Sequence, residues 1–134
     1  MEAGRNSNKA FATVFKQRTK QFALRVLKLG DNLPGVLSAQ TVGRQLVRSA
    51  SSVAANYRAA CRARSDREFA AKLHIALEEA DETELWLELL LEGGTVSPDR
   101  LQPLYQEAGE ILAILTTAER TVRQRIQEGG RVRG

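Results

Sequence analysis

The stretch that decides the fold runs from Gln45 to Leu91 and reads QLVRSASSVAANYRAACRARSDREFAAKLHIALEEADETELWLELLL. Its first half is basic and rich in small residues, and its second half is acidic and rich in leucine. Ser65, followed three positions later by Glu68, matches a capping box, in which both side chains satisfy free N–H groups at a helix start. The stretch therefore predicts two helices that meet at this capping box.

Apolar residues at spacings of three, four and seven extend this pattern in both directions and predict four helices. The helices are expected over about residues 9–29, 39–62, 66–92 and 98–128, with Gly30 as a cap of the first. The predicted core stripes, helix by helix, are Phe11, Phe15, Phe22, Val26 and Leu29; Val42, Leu46, Ala50, Val53, Tyr57 and Ala60; Phe69, Leu73, Ala76, Ala80, Leu87 and Leu90; and Leu101, Leu104, Ala108, Ile111, Leu115, Ala118, Val122 and Ile126.

The short connections between these helices predict an all-α, antiparallel up-down-up-down four-helix bundle. The bundle is expected to span residues 9–128, after a disordered N-terminus (1–8) and before a frayed basic tail (129–134). A chain of 134 residues suits one such domain.

Composition limits where the protein works. Cys61 is the only cysteine, so no internal disulfide can form, and this fits a reducing compartment. No signal peptide is visible, and no apolar run approaches the roughly 20 residues that span a bilayer. A soluble cytoplasmic protein with no membrane partner is predicted.

Charge is strongly segregated along the chain, although the net charge is only +4. Residues 1–72 contain 14 Lys or Arg and 4 Asp or Glu, a net +10. Residues 73–119 contain 1 and 11, a net −10, and residues 120–134 contain 5 and 1, a net +4. Such segregation can orient helices, pair subunits or present a basic face to phosphate groups.

The second predicted helix carries two arginine pairs on one face. Arg44 and Arg48 are one turn apart, as are Arg58 and Arg62, and only small residues continue the face between them. Because guanidinium groups bind phosphate oxygens bidentately, this face is a candidate nucleic-acid contact. The alternative is that these arginines pair with acidic residues of the third helix, in the same or a neighbouring subunit.

Two further basic groups are expected to share one end of the bundle, because helix one starts near the end of helix four. Lys16 and Lys20 lie on the first helix, and Arg120, Arg123 and Arg125 on the fourth. These groups would attract nucleic acid without reading bases, and the alternative is a solvated cationic surface. Aromatic residues are scarce, which disfavours sequence-specific recognition of single strands.

Several residues are expected to have structural or interface roles. Asn56 is predicted to hydrogen-bond across a packed interface, with Glu78 or Glu82 as candidate partners. Tyr57 lies on the core stripe. The apolar residues that lie off the main stripe of the third helix are Trp86 and, beside it, Leu85, Leu89 and Leu91. Apolar residues on a second face usually meet a second partner, so another subunit is expected there.

No catalytic or cofactor machinery is recognisable. Di-iron four-helix bundles use Glu-x-x-His pairs on two helices, but His74 is the only histidine and Ala71 stands three residues before it. No metal is therefore expected, nor any other cofactor. Neither a nucleophile elbow nor a glycine-rich phosphate loop is present, so the protein is predicted not to be an enzyme.

The deciding stretch resembles the 23S rRNA intervening sequence proteins, through an S-V-x-A-N-Y-R helix followed by E-E-A-D-E-T-x-x-W-L. The matching residues are Arg48, Ser52, Asn56, Tyr57, Arg58, Arg62, Ser65, Glu68, Phe69, Lys72, Glu78, Glu79, Asp81, Glu82, Trp86 and Leu87. Accessory variability proteins of diversity-generating retroelements share this four-helix fold. The resemblance implies a homopentamer that binds RNA or DNA, with a reverse transcriptase as a candidate partner.

The function expected from these observations is that of a non-catalytic, homo-oligomeric accessory protein that holds the RNA or DNA backbone on its basic surfaces. The alternative is a protein-interaction or scaffolding module whose arginines serve subunit contacts and bind no nucleic acid.

Overall fold

The computed structural model describes the backbone of residues 2–133 and the side chains of residues 8–129. Its four helices are α1 (Glu2–Asp31), α2 (Leu37–Ala60), α3 (Asp66–Gly93) and α4 (Pro98–Arg133). Each helix packs against the next in chain order, and α1 meets α4 only lightly. The protein is therefore all-α, with the four-helix up-down order that the sequence predicts.

The capping box at the start of α3 forms. Ser65 has an extended backbone, and its hydroxyl accepts a hydrogen bond from the Glu68 N–H at 3.1 Å. The Glu68 carboxylate accepts in turn from the N–H of Arg64 at 2.9 Å, one residue before the cap. At the other end of α3, Gly94 adopts a φ of 72°, which glycine reaches without steric cost.

The prediction that Gly30 caps the first helix is wrong. Gly30 lies within α1, and among residues 2–133 only Gly94 has a positive φ. A Cβ on Gly30 would lie 2.8 Å from Cγ2 of Val47, so glycine at this position lets α2 pack closely against α1. Gly43 does the same for Leu33, whose side chain occupies the place of a Cβ.

The two terminal helices are longer than the sequence predicts. Residues 2–8 belong to α1 and residues 129–133 to α4, since neither segment contains a proline and each added residue gains a backbone hydrogen bond. Met1, Gly134 and the side chains of residues 2–7 and 130–133 lie outside the described part. Disorder over residues 1–8 and fraying over residues 129–134 therefore stay predictions.

The core forms from the predicted stripes. All predicted stripe residues are buried except five: Phe11, Val42, Phe69, Ala118 and Ile126. Phe11 departs furthest, because its side chain is 51% exposed, whereas the other four are half-buried against the core. The core is thus complete along most of the bundle and incomplete near the start of α1.

A small polar layer crosses the core between α2 and α3. Oγ1 of Thr83 lies 2.8 Å from Oγ of Ser49 and 2.7 Å from the Glu79 carbonyl oxygen. Both hydroxyls are buried, so their mutual contact satisfies groups that would otherwise lose hydrogen bonds to water.

None of the helices in the described part carries an apolar stretch long enough to cross a bilayer.

Candidate nucleic-acid interface

The arginine-bearing side of α2 lies on the outside of the bundle. Exposed positions recur there at spacings of four and three, and we call them the arginine face: Arg44, Arg48, Ser51, Ala55 and Arg58 of α2, and Arg62 in the turn that follows it. They share one side because the opposite side of α2 enters the core. At about 1.5 Å of rise per residue, the two arginine pairs begin roughly 21 Å apart. Only Ser51 and Ala55 lie between them, so the centre of the face carries no large or charged side chain.

Arg48 is the one arginine of this face with an ion pair among the described side chains. Its Nη1 lies 3.0 Å from Oε2 of Glu79, and its Nη2 contacts the Glu82 carboxylate. Desolvation opposes the charge on Arg48, but the two carboxylates outweigh it and raise the pKa of the guanidinium. At this position the structure shows the pairing with helix three that the sequence analysis offered as an alternative to phosphate contact.

The register of α2 against α3 explains why Arg48 is paired and Arg58 is not. Arg48 lies level with Glu79 and Glu82. In an antiparallel pair, a step of ten residues forward on α2 corresponds to ten residues back on α3. Arg58 therefore lies level with residues 69–72, whose sequence FAAK contains no carboxylate. The positive charge of Arg58 stays on the surface.

The basic candidates on α1 and α4 divide in the same way. Three are exposed and have no ion pair with any side chain of residues 8–129: Lys16, Lys20 and Arg120. Arg123 lies 2.9 Å from Oε1 of Glu119, and Arg125 lies 3.0 Å from Oδ1 of Asp66. Of the nine candidate cations, three are thus paired with side chains of residues 8–129 and six are not.

The start of α1 and the later part of α4 meet at one end of the bundle, as the connectivity predicts. Lys9 of α1, Arg64 of the α2–α3 connection and Arg125 of α4 line a single groove there. Arg58 lies in the last turn of α2 and Arg62 just after it, at the same end of the bundle. The C-terminus of α2 also favours nearby cations, because its unpaired carbonyl groups carry partial negative charge.

A contact between α3 and α4 was missed by the sequence analysis. Nδ1 of His74 lies 2.9 Å from Oε1 of Glu119, and Nε2 lies 3.4 Å from Oε1 of Glu78. Glu119 is nearly buried and also holds Arg123. Among residues 8–129, no group of three or more His, Cys, Asp or Glu side chains is placed to hold a metal ion.

Asn56 does not bond to the partners expected from the sequence. Its Nδ2 donates to the backbone carbonyl and the hydroxyl of Ser52, at 2.9 Å each, within α2 itself. Glu82 is held by Arg48, and Glu78 faces His74. Asn56 is half-buried, so its role at an interface stays a prediction.

Tyr57 and Trp86 lie in different surroundings. Tyr57 is buried with its ring edge-on to Phe15, at a centroid distance of 4.6 Å, and burial raises the pKa of its phenol. Trp86 is half-buried, and its Nε1 has no hydrogen-bond partner among residues 8–129. Leu85 and Leu89, on the same side of the helix as the acidic residues of α3, are more than 40% exposed. This exposed apolar surface is where the sequence predicts a second subunit.

A bidentate ion pair joins α1 to α4. Nε and Nη2 of Arg18 donate to the two carboxylate oxygens of Glu107 at 2.8 and 2.7 Å, and Glu110 lies 3.5 Å away. The hydrogen bond from Arg18 lowers the pKa of Glu107, against the opposing effect of burial. Because the two residues are 89 positions apart, no local sequence pattern reveals this contact.

The sequence and the fold of this chain are both similar to those of known proteins. A family model described as 23S rRNA-intervening sequence protein matches residues 12–117. A crystal structure of a protein with unknown function, from the S23 ribosomal protein family of Bacteroides thetaiotaomicron, is 33% identical with a TM-score of 0.73. The match covers 81% of this chain and 97% of that one. No curated protein matches the chain.

Proposed function

Since the chain belongs to the 23S rRNA-intervening sequence protein family, we propose that it is a non-catalytic accessory protein that binds the backbone of RNA or DNA. The observation that carries this proposal is the arginine face. Arg44, Arg58 and Arg62 are exposed and have no ion pair with the side chains of residues 8–129. The small residues Ser51 and Ala55 between the pairs leave room for a phosphate backbone.

The remaining basic surface supports the same role. Lys16, Lys20 and Arg120 are exposed and unpaired within the described part, and each can neutralise a phosphate and release its counterions. Guanidinium and ammonium groups that face phosphates position a nucleic acid without reading its sequence. The proposed binding is therefore strong at low salt and tolerant of sequence.

The proposed working form is a homo-oligomer, a pentamer by the family resemblance, with the reverse transcriptase of a diversity-generating retroelement as the proposed partner enzyme. Five copies of the arginine face on one particle would raise the effective concentration of binding groups along a single nucleic acid. The exposed Leu85 and Leu89 of α3 are the surface proposed for subunit contact.

A second candidate function is that of a protein-interaction or scaffolding module. The pairing of Arg48 with Glu79 and Glu82 favours it, because this arginine already serves a contact between helices. The exposed Ile75, Leu85 and Leu89 also favour it, since apolar groups on an acidic surface are typical of protein interfaces.

The test is a titration of labelled RNA and DNA at several salt concentrations, with the wild-type protein and two variants. Arg58→Gln combined with Arg62→Gln should weaken binding and lower the salt slope by about two, one for each lost phosphate contact. Arg48→Gln is the matched control, because this arginine is on the same face but already paired with carboxylates.

The oligomeric state of each variant, measured by analytical ultracentrifugation, separates the two functions. Lost nucleic-acid binding by an intact oligomer supports phosphate contact. Dissociation of the oligomer in the Arg58→Gln/Arg62→Gln variant supports the scaffolding function. If the wild-type protein binds neither RNA nor DNA at low salt, the proposed function is wrong.

A further inference from the structure

An apolar groove of about 830 Å³ opens between α1 and α4, above the α2–α3 connection. Phe11 forms part of one wall, Ile114 and Ala118 part of the opposite wall, and Phe69 lies among the other lining residues. The α4 wall extends from Ala113 to Arg125, which corresponds to roughly 18 Å of helix. The volume of the groove falls within the range of about 300–1,000 Å³ that is common for sites of small ligands.

The groove is an unfilled part of the core. Phe11 continues the buried stripe of α1 and stacks on Phe15, with ring centroids 5.8 Å apart, yet its side chain is 51% exposed. The Arg18–Glu107 pair ties α1 to α4 further along the bundle. No side chain among residues 8–129 covers Phe11, so apolar surface that faces the core of the bundle remains open to solvent.

The charges around the groove are predominantly positive. Lys9 and Arg64 line it, are exposed, and form no ion pair with the side chains of residues 8–129. Arg125 also lines it, and among residues 8–129 the only carboxylate in the lining, that of Asp66, is bound to Arg125. An apolar trough with free cations at its edge complements a molecule that has an apolar chain and an anionic head.

The groove extends beyond the region that the family model matches. Lys9 and Phe11 precede the region matched by the family model, and Val122 and Arg125 follow it. The site is independent of the arginine face, since none of the six residues of that face lines the groove.

We propose that this groove binds a free fatty acid, with its hydrocarbon chain along Phe11, Phe69 and Ile114 and its carboxylate beside Lys9 and Arg64. The hydrocarbon chain covers the exposed part of the core. The carboxylate pairs with Lys9 and Arg64, the two cations that have no partner within the described side chains. Nothing in the arginine face has to change for this binding, so its test does not depend on the proposed nucleic-acid function.

Cys61 provides a reporter at the site, because it is the only cysteine and its half-buried thiol lines the groove. Dodecanoate, used below its micelle concentration, should slow the reaction of Cys61 with N-ethylmaleimide and bind measurably in calorimetry. Removing methylene groups from the probe should weaken binding about fourfold for each one, as expected for burial of a hydrocarbon chain. Dodecanol should bind less tightly than dodecanoate, because it lacks the negative charge.

Three variants locate the ligand. Thr117→Trp introduces bulk from an exposed position of the groove wall and should abolish the protection of Cys61. Gln106→Trp is the matched control, at an exposed position of α4 outside the groove, and should bind as the wild type does. Lys9→Gln combined with Arg64→Gln should weaken dodecanoate binding and leave dodecanol binding unchanged.

The proposal is overturned if dodecanoate leaves the reactivity of Cys61 unchanged, or if Thr117→Trp, with a circular dichroism spectrum of a folded helical protein, binds it as well as the wild type does. Equal affinity for dodecanol and dodecanoate would also overturn it, because the cations would then have no role. Protection of Cys61 that grows with protein concentration in the absence of any amphiphile would assign the groove to a second copy of the chain instead.

Discussion

The two ends of the bundle are made from the same four helices, but only one of them leaves a predicted core residue, Phe11, exposed. We call this end the open end and the other the closed end. At the end with the α1–α2 and α3–α4 connections, Leu46, Leu87 and Leu101 are fully buried. At the opposite end, Phe11 has the same kind of position on the core stripe of α1, and half of its side chain is exposed. A helical pattern predicts which face a helix turns inward, whereas burial depends on whether a neighbouring helix is there.

The arginine face of α2 shows the same rule for charge. Arg48 and Arg58 are both exposed arginines on one face of one helix. Arg48 lies opposite carboxylates of α3 and is paired, whereas Arg58 lies opposite a stretch without carboxylates. The environment supplied by the adjacent helix therefore separates a structural arginine from one that is available for a ligand.

The largest expected effect compares a core residue of the closed end with its counterpart at the open end. Leu87→Ala should lower the free energy of unfolding by about 2–5 kcal/mol, because it leaves a cavity in a packed core. Phe11→Ala should cost less than about 1.5 kcal/mol, since half of the side chain is already in water. Urea denaturation of both variants measures the difference. If both variants lose the same free energy of unfolding, Phe11 is covered in solution and the exposure described for this end of the bundle is wrong.

An intermediate effect is expected for the polar layer between α2 and α3. Thr83→Val keeps the shape of the side chain but removes a buried hydroxyl that contacts Ser49, and should cost about 1–3 kcal/mol. Adding Ser49→Ala should restore part of this loss, because it removes a buried hydroxyl that would keep only its long, 3.3 Å hydrogen bond to the Leu46 carbonyl. The check is urea denaturation of the single and double variants. A double variant less stable than the sum of both single losses would contradict this explanation.

The smallest effect is expected at the ion pair of Arg18 and Glu107, which joins α1 to α4. The pKa of Glu107 is lowered in the folded protein, so its contribution is present above the unfolded pKa of about 4.3 and is lost as the pH falls through the lower, folded value. Arg18→Gln should therefore lower stability at pH 7, by no more than about 1 kcal/mol for this partly exposed pair, and should make the loss of stability in acid less steep.

Urea denaturation between pH 7 and pH 3 measures this effect. Arg125→Gln is a suitable control, because it removes the same charge from a more exposed pair with Asp66. If Arg18→Gln and wild type lose stability in parallel as the pH falls, Glu107 is not held by Arg18 in the folded protein.

Much of the architecture could be predicted because it follows from local rules. The spacing of apolar residues indicated four helices and most of the buried apolar positions, and the Ser65–Glu68 capping box indicated the start of α3. The error at Gly30 has a clear cause: glycine serves both at helix ends and at close helix contacts, and only the position of Val47 distinguishes the two.

The candidate interface was predictable in part. The spacing of Arg44, Arg48, Arg58 and Arg62 correctly indicated one shared exposed face. Which of them is paired could not be predicted, because pairing depends on how far α2 is shifted along α3. The Arg18–Glu107 and His74–Glu119 contacts were missed for the same reason, since each joins residues distant in sequence.

By itself, the sequence determined the number of helices, the face that each one buries, the segregation of charge and the membership of the chain in its family. These properties depend on periodicity and composition, which are local along the chain. Only the tertiary structure decided which arginines remain unpaired and that a groove opens beside Phe11. Both depend on the register and separation of neighbouring helices, because a side chain is buried or neutralised by the residues that another helix brings within a few ångströms of it.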